Sequence, residues 1–504
     1  MNILLFSEGY GANYLIMNPH PIMVGSYRIA THLRNNGHNV RTLAIWSAPF
    51  DEFKDLIRPF LTKYLDLIGI SSTLIYNQPP LHDNHSEDLY IKLKYIKETA
   101  PHCILIMGGS TVGSVAFFHD PRLIKIHSMI DYFIQGQGEA AIDALIDHLV
   151  KKTKILMSNI SPKIISDTVY KFEDFKNSKI IYHKSDYISQ DDAVGIEFGR
   201  GCIFKCSFCG HQNIGKKPGE LTKSENLIRD ELIRNYEEYG IKYYYFTDDL
   251  LNDSVDRLER LVEVTSSLPF KLTYSAYIRL DLIHRFPVMA DLLLESGLIT
   301  GTAGIETLND TSGKSVYKGL GFKRINEVLE ICNKKWKGKV GIAGSFILGL
   351  PYDTEDTVYE LIEWFDTKNP RETITDLNIN ALRLSKEMAI NKSRYKYVQD
   401  MQRITGWINQ KGYSFQKADE DASKAFDHFY KKYKVPIPFG AFDIPQVLAL
   451  AERNGRLDEI KRFYFNREPL NDVSFVKDWH ELRLKWYLDR RQEYFNNLRK
   501  EFNI

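Results

Sequence analysis

Cysteine is scarce in this sequence, with five residues among 504: Cys103, Cys202, Cys206, Cys209 and Cys332. So few thiols in so long a chain exclude a disulfide scaffold and suit a reducing compartment, which points to the cytoplasm. Neither sign of charge is in surplus, since 66 Lys and Arg face 65 Asp and Glu for a formal net charge of +1. That balance argues against a nucleic-acid coat or a polybasic membrane binder, whose partners demand a basic excess. No apolar run approaches the roughly eighteen residues that span a bilayer. The start, Met1-Asn2-Ile3-Leu4-Leu5-Phe6-Ser7-Glu8, lacks the basic flank of a secretory signal and reads as a buried first strand. Internal repeats and low-complexity tracts are missing. So is the dinucleotide fingerprint G-x-G-x-x-G, which leaves a nicotinamide role without support.

What is present is the composition of a folded protein, 43% hydrophobic and 26% charged, in a length that suggests about three domains. Residues 1–155 alternate short apolar runs with amphipathic stretches. Ile3–Phe6, Val40–Ile45, Leu67–Ile70, Ile104–Met107 and Tyr132–Ile134 read as strands buried on both faces. Helices are expected at Ser26–Asn36, between Asp88 and Thr99, and at Glu139–Val150. The alternation predicts an α/β, doubly wound, Rossmann-like parallel sheet. Glycine-bearing turns follow three strands: Gly69-Ile70-Ser71-Ser72-Thr73, Gly108-Gly109-Ser110-Thr111 and Gly136-Gln137-Gly138-Glu139. In such sheets the carboxyl ends of the strands form the ligand crevice, and small residues there admit a close approach by a ligand.

Residues 156–192 are more polar and irregular and read as a connecting segment. A second α/β series fills 193–384, with strands near Val194–Phe198, Tyr243–Thr247, Lys271–Ala276, Gly301–Ile305, Val340–Leu348 and Asp376–Ala381. Thr222-Lys223-Ser224-Glu225 has the form of a capping box opening a helix that Gly240 closes. Six βα units predict a partial barrel of the TIM type, short of the eight that close one. Residues 385–504 look mainly helical and aromatic. In them Trp479, Trp486, Tyr487, Tyr494 and Phe495, with Arg483, Arg490 and Arg491, form either a partner surface or the packed face of one amphipathic helix.

Three of the five cysteines lie within eight residues, in Gly199-Arg200-Gly201-Cys202-Ile203-Phe204-Lys205-Cys206-Ser207-Phe208-Cys209-Gly210. The loop follows the first barrel strand, at the barrel end where active sites are built. Three thiolates on so short a loop can converge on one soft metal centre. A zinc ion with His211 as fourth ligand is one alternative, although structural zinc sites usually pair two separated knuckles and no second pair exists here. Cys103, in an apolar strand, and Cys332, on a helix, read as buried structural thiols.

The C-x3-C-x2-C spacing, the aromatic Phe208 before the last cysteine and the flanking Gly199-Arg200-Gly201 resemble the radical S-adenosylmethionine superfamily signature. The resemblance implies that Cys202, Cys206 and Cys209 hold a [4Fe–4S] cluster whose fourth iron chelates S-adenosylmethionine. Reduction of the cluster by an external donor such as flavodoxin or ferredoxin then yields the 5′-deoxyadenosyl radical. Further positions follow the same pattern and imply contacts to S-adenosylmethionine. They are Phe208, the pair Asp248 and Asp249 ending the second barrel strand, Arg279 ending the third, Glu306 ending the fourth, and Ile347 and Gly349 on the fifth. Some members carry a glutamate three residues beyond that glycine, where this sequence has Tyr352.

The N-terminal turns resemble the cobalamin-binding domain fused to one subclass of that superfamily. The resemblance implies cobalamin contacts from Ser71, Ser72, Thr73, Gly108, Gly109, Ser110, Gly136, Gly138 and Glu139. The D-x-H-x-x-G motif whose histidine ligates cobalt is missing, and Asp83-Asn84-His85 comes nearest to it. The subclass implies methylation of an unactivated carbon on a small-molecule or peptide substrate held between the two α/β domains. A non-methylating rearrangement, cyclisation or ring contraction is the alternative. Methylthio transfer to RNA would need a second cysteine triad. A non-catalytic zinc or iron–sulfur binding protein is the reading from a different class.

Overall fold

A computed structural model of the chain describes residues 1–7, 24–46, 48–71, 83–109, 112, 123–157, 163–166, 169, 175–209, 214–318, 320–368, 373–384, 389–390, 392–397, 406–433, 443–466 and 477–503. They form two compact units, Met1–Ser189 with Lys485–Ile504, and Gln190–Leu484.

The first unit is built on strands β1 (Asn2–Phe6), β2 (Asn39–Leu43), β3 (Leu67–Ser71), β4 (Ile104–Gly109), β5 (Tyr132–Gln135) and β6 (Ile164–Ser166). They run in the order β2-β1-β3-β4-β5-β6, and every pairing is parallel. The strand order reverses beside β1, which opens a crevice at the carboxyl ends of β1 and β3. Helices α1 (Val24–Asn35), α2 (Phe50–Ile57), α3 (Asp83–Thr99), α4 (Ile124–Met129) and α5 (Gly138–Lys151) supply the crossovers. Ile3, Leu5, Leu67, Ile106 and Ile134 of the sheet pack on Ala30 and Leu33 of α1 and Ile142 and Leu145 of α5. The strand β6 falls inside the stretch read as a connecting segment. Three residues are too short to show a period, and the sheet edge beside β5 fixes them instead.

The second unit carries β7 (Ala193–Ile196), β8 (Tyr243–Phe246), β9 (Thr273–Ile278), β10 (Leu298–Glu306), β11 (Gly341–Leu348) and β12 (Ile374–Ala381). They lie in chain order and all pair in parallel, with β7 and β12 as the two edges among the described residues. This is the partial (β/α)6 barrel expected. Between the strands come α6 (Glu225–Tyr239), α7 (Val255–Ser266), α8 (Leu280–Arg285), α9 (Val288–Glu295), α10 (Asp310–Ser315), α11 (Phe322–Trp336) and α12 (Thr357–Lys368). The cap of α6 is Ser224, whose hydroxyl accepts the Leu227 N–H at 3.4 Å, and not Thr222. Thr222 bridges Gly199 instead and so helps to fix the cysteine loop. Gly240 closes α6 in the left-handed conformation, as expected.

Residues 385–504 divide between the two units. The strands β13 (Tyr395–Tyr397) and β14 (Trp407–Asn409) form an antiparallel ribbon, followed by α13 (Phe415–Tyr433), α14 (Asp443–Arg453), α15 (Leu457–Asn466) and α16 (Lys477–Phe502). In α14, Gln446 accepts from Ala193 N–H at 2.8 Å and Glu452 from the Tyr243 hydroxyl at 2.9 Å. In α15 the Tyr464 hydroxyl lies 3.0 Å from that of Thr375. Ala193 and Tyr243 begin their strands, so α14 and α15 seal the amino ends of the barrel and leave the carboxyl ends to the loops. From Lys485 onward α16 belongs to the first unit. Trp486, Tyr487, Tyr494 and Phe495 are buried, and the Tyr494 hydroxyl accepts from Ala44 N–H at 2.9 Å. These aromatics are core, as one amphipathic helix would have them; the side chains of Trp479 and Arg483 lie outside the described residues. No helix among the described residues is long and apolar enough to cross a membrane.

Candidate active site

The cysteine loop leaves β7 at its carboxyl end, and both acids that end β8 brace its entry. Asp248 is 1% exposed. It accepts from the N–H groups of Phe198 (3.0 Å) and Gly199 (2.6 Å) and pairs with the Arg257 guanidinium. Arg257, fully buried on α7, also donates to Leu250 O (3.1 Å) and Asp253 (3.2 Å) and lies over the Phe198 ring at 4.9 Å. Burial pushes the Asp248 carboxyl up to about 6, against the pull of Arg257 and the two N–H groups. With both oxygens engaged by the chain itself, Asp248 shapes the loop. Asp249 is half-buried and accepts from Gly201 N–H at 2.9 Å. Replacing Arg257 with methionine strands a buried carboxylate, at an expected loss of about 3–5 kcal/mol. Urea unfolding of the Arg257→Met protein measures it, and a change under 1 kcal/mol would mean the pair does not brace the loop.

Cys206 is buried and Cys202 and Cys209 are half-buried. The backbone curls between them: Cys209 N–H donates to Cys206 O (3.0 Å), Gly215 N–H to Cys202 O (2.7 Å) and Ser207 N–H to Val316 O (3.0 Å). Arg279, ending β9, places Nη1 3.3 Å from Cys206 Sγ and its guanidinium 3.8 Å above the Phe204 ring. Its Nε donates to Asp281 at 2.9 Å. Burial alone would raise the Asp281 carboxyl; hydrogen bonding and charge from Arg279 outweigh it and hold the group below its usual range. Burial raises the Cys202 thiol, while the Phe204 N–H at 3.5 Å from its sulfur and the charge of Arg279 favour the thiolate. Arg279 therefore sets a buried positive charge against the Cys206 sulfur. Among the described residues no group of three His, Cys, Asp or Glu side chains surrounds a single-ion site. Sulfurs that hold three irons of a cube need no shared point. His211 lies outside the described residues.

Glu306 ends β10 at a φ of +70°, where the register with β11 shifts between Gly304 and Glu306. Such a conformation costs a non-glycine residue on the order of 1–3 kcal/mol and persists where the surroundings impose it. The surroundings are specific: a Cβ on Gly304 would sit 2.0 Å from Glu306 Oε1, and Lys318 Nζ lies 3.4 Å from the same oxygen. The charge of Lys318 is also felt by Asp281, which ties Glu306 to Arg279 and through it to Cys206. On β11, Ile347 is half-buried, on the face opposite Phe346, whose ring packs on Trp364. Gly349 has a φ of +95°, and Trp407 of β14 occupies the space of its missing Cβ. Asp353 accepts from the N–H groups of Gly349 (3.1 Å) and Leu350 (2.9 Å) and from the Ser312 hydroxyl (2.7 Å). Gly349 thus turns the strand end. Phe208 is half-buried beside Cys209. Arg257, Asp281, Lys318, Asp353 and Trp407 went unread in the sequence. Only Asp353, an acid two residues after Gly349-Leu350-Pro351, left a local signal.

In the first unit a cleft opens at the carboxyl ends of β3, β4 and β5, against α1 and α5. Ser71, Gly108, Gly109, Gly136 and Gly138 line it, with Leu5, Ile29, Ile106, Ile134 and Ile142 as apolar walls. Its floor is close-packed at Gly69, where a Cβ would come 2.5 Å from Leu5 Cδ2. Glu139 does not line the cleft: it is fully buried and pairs at 2.8 Å with Arg28, which does. Ser72, Thr73 and Ser110 lie outside the described residues, as do the side chains of Asp83, Asn84 and His85. Glycine turns over an apolar floor fit a broad, flat cofactor such as cobalamin, and three thiolates with a guanidinium counter-charge fit a [4Fe–4S] cluster.

Residues 196–365 match the family described as the radical SAM superfamily. The hopanoid C-3 methylase of Methylococcus capsulatus is 21% identical over 384 residues, 72% of this chain and 69% of that protein. The anaerobic magnesium-protoporphyrin IX monomethyl ester cyclase of Synechocystis sp. is 22% identical, over 45% of this chain and 46% of its own length. The radical S-adenosylmethionine methyltransferase TsrM from Kitasatospora setae, solved with cobalamin and a [4Fe–4S] cluster bound, shares the fold. It has a TM-score of 0.63 and 14% identity, with 98% of this chain and all of that chain covered. Residues 196–365 of the barrel are thus those of a radical S-adenosylmethionine domain.

Proposed function

We propose that this enzyme is cobalamin-dependent and methylates an unactivated carbon of a small-molecule or peptide substrate. The observation that carries the reading is the pairing, in one chain, of the Cys202, Cys206 and Cys209 loop with a glycine-lined cleft at the strand ends of the first unit. Bound to those sites, the cluster and S-adenosylmethionine supply a 5′-deoxyadenosyl radical, and cobalamin supplies a methyl carrier. This chain's own part is to hold and to screen. Arg279 and the Phe204 N–H balance the thiolate charge. Asp249, Glu306, Ile347 and Phe208 are the groups left to meet S-adenosylmethionine, while Asp248 and Gly349 fix the loops that carry them. Ser71, Gly108, Gly109, Gly136 and Gly138 would meet cobalamin, and no described histidine enters their cleft. The external reductant is a flavodoxin or ferredoxin, and the reducing cytoplasm is the compartment that suits these free thiols.

Protein reconstituted anaerobically with iron and sulfide should retain added cobalamin and convert S-adenosylmethionine into 5′-deoxyadenosine and S-adenosylhomocysteine. Formation of 5′-deoxyadenosine by protein that never retains cobalamin would leave the second reading, a non-methylating cyclisation or rearrangement. That reading has support in the similarity to the anaerobic cyclase. Glu306→Gln keeps the size of the side chain but removes its charge. It should weaken S-adenosylmethionine binding about tenfold, some 1.4 kcal/mol, in equilibrium dialysis, with iron content unchanged. Unaltered binding would remove Glu306 from the site.

A further inference from the structure

Tyr317 joins the cysteine loop to the surface. Its carbonyl oxygen lies 3.7 Å from Cys206 Sγ, and the neighbouring Val316 carbonyl accepts from Ser207 N–H at 3.0 Å. Its ring is 72% exposed, on a backbone with a φ of +57° that no glycine relieves. Beside it is a cleft lined by four cations, Lys314, Lys318, Lys323 and Arg324. The cleft's one lining acid, Asp310, accepts from the Phe322 N–H at 2.8 Å and offsets one of the four charges. Lys318 is paired with Glu306, and Lys323 lies 3.7 Å from Glu327, an acid that His284 also engages. Lys314 and Arg324 are exposed and have no partner among the described residues. The cleft also meets the start of α11, whose first turn holds no acid and whose cap, Gly321, offers no side-chain acceptor, so the helix dipole adds to the positive field. In a chain of net charge +1 this is a local surplus. It sits one residue from a thiol of the cluster loop.

We propose that this surface docks a small acidic flavoprotein that delivers single electrons, with Tyr317 as the contact nearest the cluster and Lys314 and Arg324 as the steering charges. The inference rests on the proposed function, since only a redox cluster held at Cys206 needs an electron there. In the step itself no bond forms or breaks: the donor's flavin hydroquinone becomes the semiquinone, and the cluster gains the electron. Complementary charge at the rim of such a contact governs encounter rate and its dependence on salt.

The test is the Lys314→Glu/Arg324→Glu double variant, both positions lying outside the site. Binding of a bacterial flavodoxin to the reconstituted protein at low ionic strength should weaken by about tenfold or more and lose most of its salt dependence. With flavodoxin hydroquinone as reductant, 5′-deoxyadenosine formation at subsaturating donor should fall by a similar factor. With titanium(III) citrate it should stay within about twofold of the parent. Unchanged flavodoxin affinity overturns the proposal, and so does an equal loss with both reductants, which would place these residues in the site or the fold. If the parent protein forms no 5′-deoxyadenosine even with titanium(III) citrate, the proposed function itself fails, an outcome separate from either.

Discussion

Cys206→Ala protein should purify folded, hold no [4Fe–4S] cluster after reconstitution, and form no detectable 5′-deoxyadenosine. The expectation follows from the number of ligands. Three thiolates hold the cube, and removing one leaves a second iron exposed without a protein ligand. Cys206 is also the sulfur that Arg279 Nη1 approaches at 3.3 Å, so its loss leaves that buried guanidinium with Asp281 and the Phe204 ring. Cys202→Ala and Cys209→Ala should behave alike. The contrast lies with the other two thiols. Burial pushes Cys103 up to about 11 and raises Cys332 further, so both stay protonated and inert. Cys103→Ala and Cys332→Ala should keep full iron content and differ from the parent only in stability. Iron analysis and the visible absorbance of the cluster check all five. A Cys206→Ala protein with parental iron would refute the ligand assignment.

Gly108→Leu should abolish retention of cobalamin and spare cleavage of S-adenosylmethionine. Gly108 is the position for this test because a Cβ there meets only Ile134, at 3.6 Å, an ordinary contact, and its φ is not in the left-handed region. The substitution therefore adds bulk to the cleft without straining β4. By contrast, a Cβ on Gly69 would collide with Leu5 and disturb the sheet itself. A leucine side chain projecting from the strand end fills the space between the apolar walls. We expect a loss on the order of 100-fold in cobalamin affinity, about 2.7 kcal/mol. The barrel is a separate compact unit, so reductive cleavage to 5′-deoxyadenosine should continue while S-adenosylhomocysteine is no longer formed. Parental cobalamin retention in Gly108→Leu would move the cofactor out of this cleft.

Both experiments start from features that the sequence displays openly, and the reason is locality. A strand buried on both faces, such as Leu67–Ser71, announces itself as an unbroken apolar run. Three cysteines on one loop show their purpose in their spacing. The acids at 248 and 249 were visible too, but their division of labour was not. That division depends on Arg257, nine residues further on and on the next helix, which takes up Asp248 and leaves Asp249 at the loop. Glu306 was legible as a carboxylate at a strand end; its bulge and its partner Lys318 are products of tertiary structure. The cap of α6 went to Ser224 because Thr222 is held in a bridge to Gly199, a contact no capping pattern encodes. In the C-terminal stretch the amphipathic helices were readable, but not which core each would join. Helices α14 and α15 seal the barrel's amino ends, and the aromatics of α16 are buried in the first unit. Faces of similar polarity fit more than one hydrophobic surface, and only the packed chain decides between them.

Everything proposed for this enzyme depends on Cys202, Cys206 and Cys209 holding a cluster with one iron open to S-adenosylmethionine. Electron paramagnetic resonance of the reduced, reconstituted protein, before and after addition of S-adenosylmethionine, tests it most directly. The protein should hold about four iron atoms per chain and give a cluster signal whose g-values shift when S-adenosylmethionine is added. One zinc per chain, or a cluster signal that S-adenosylmethionine leaves unchanged, would contradict it.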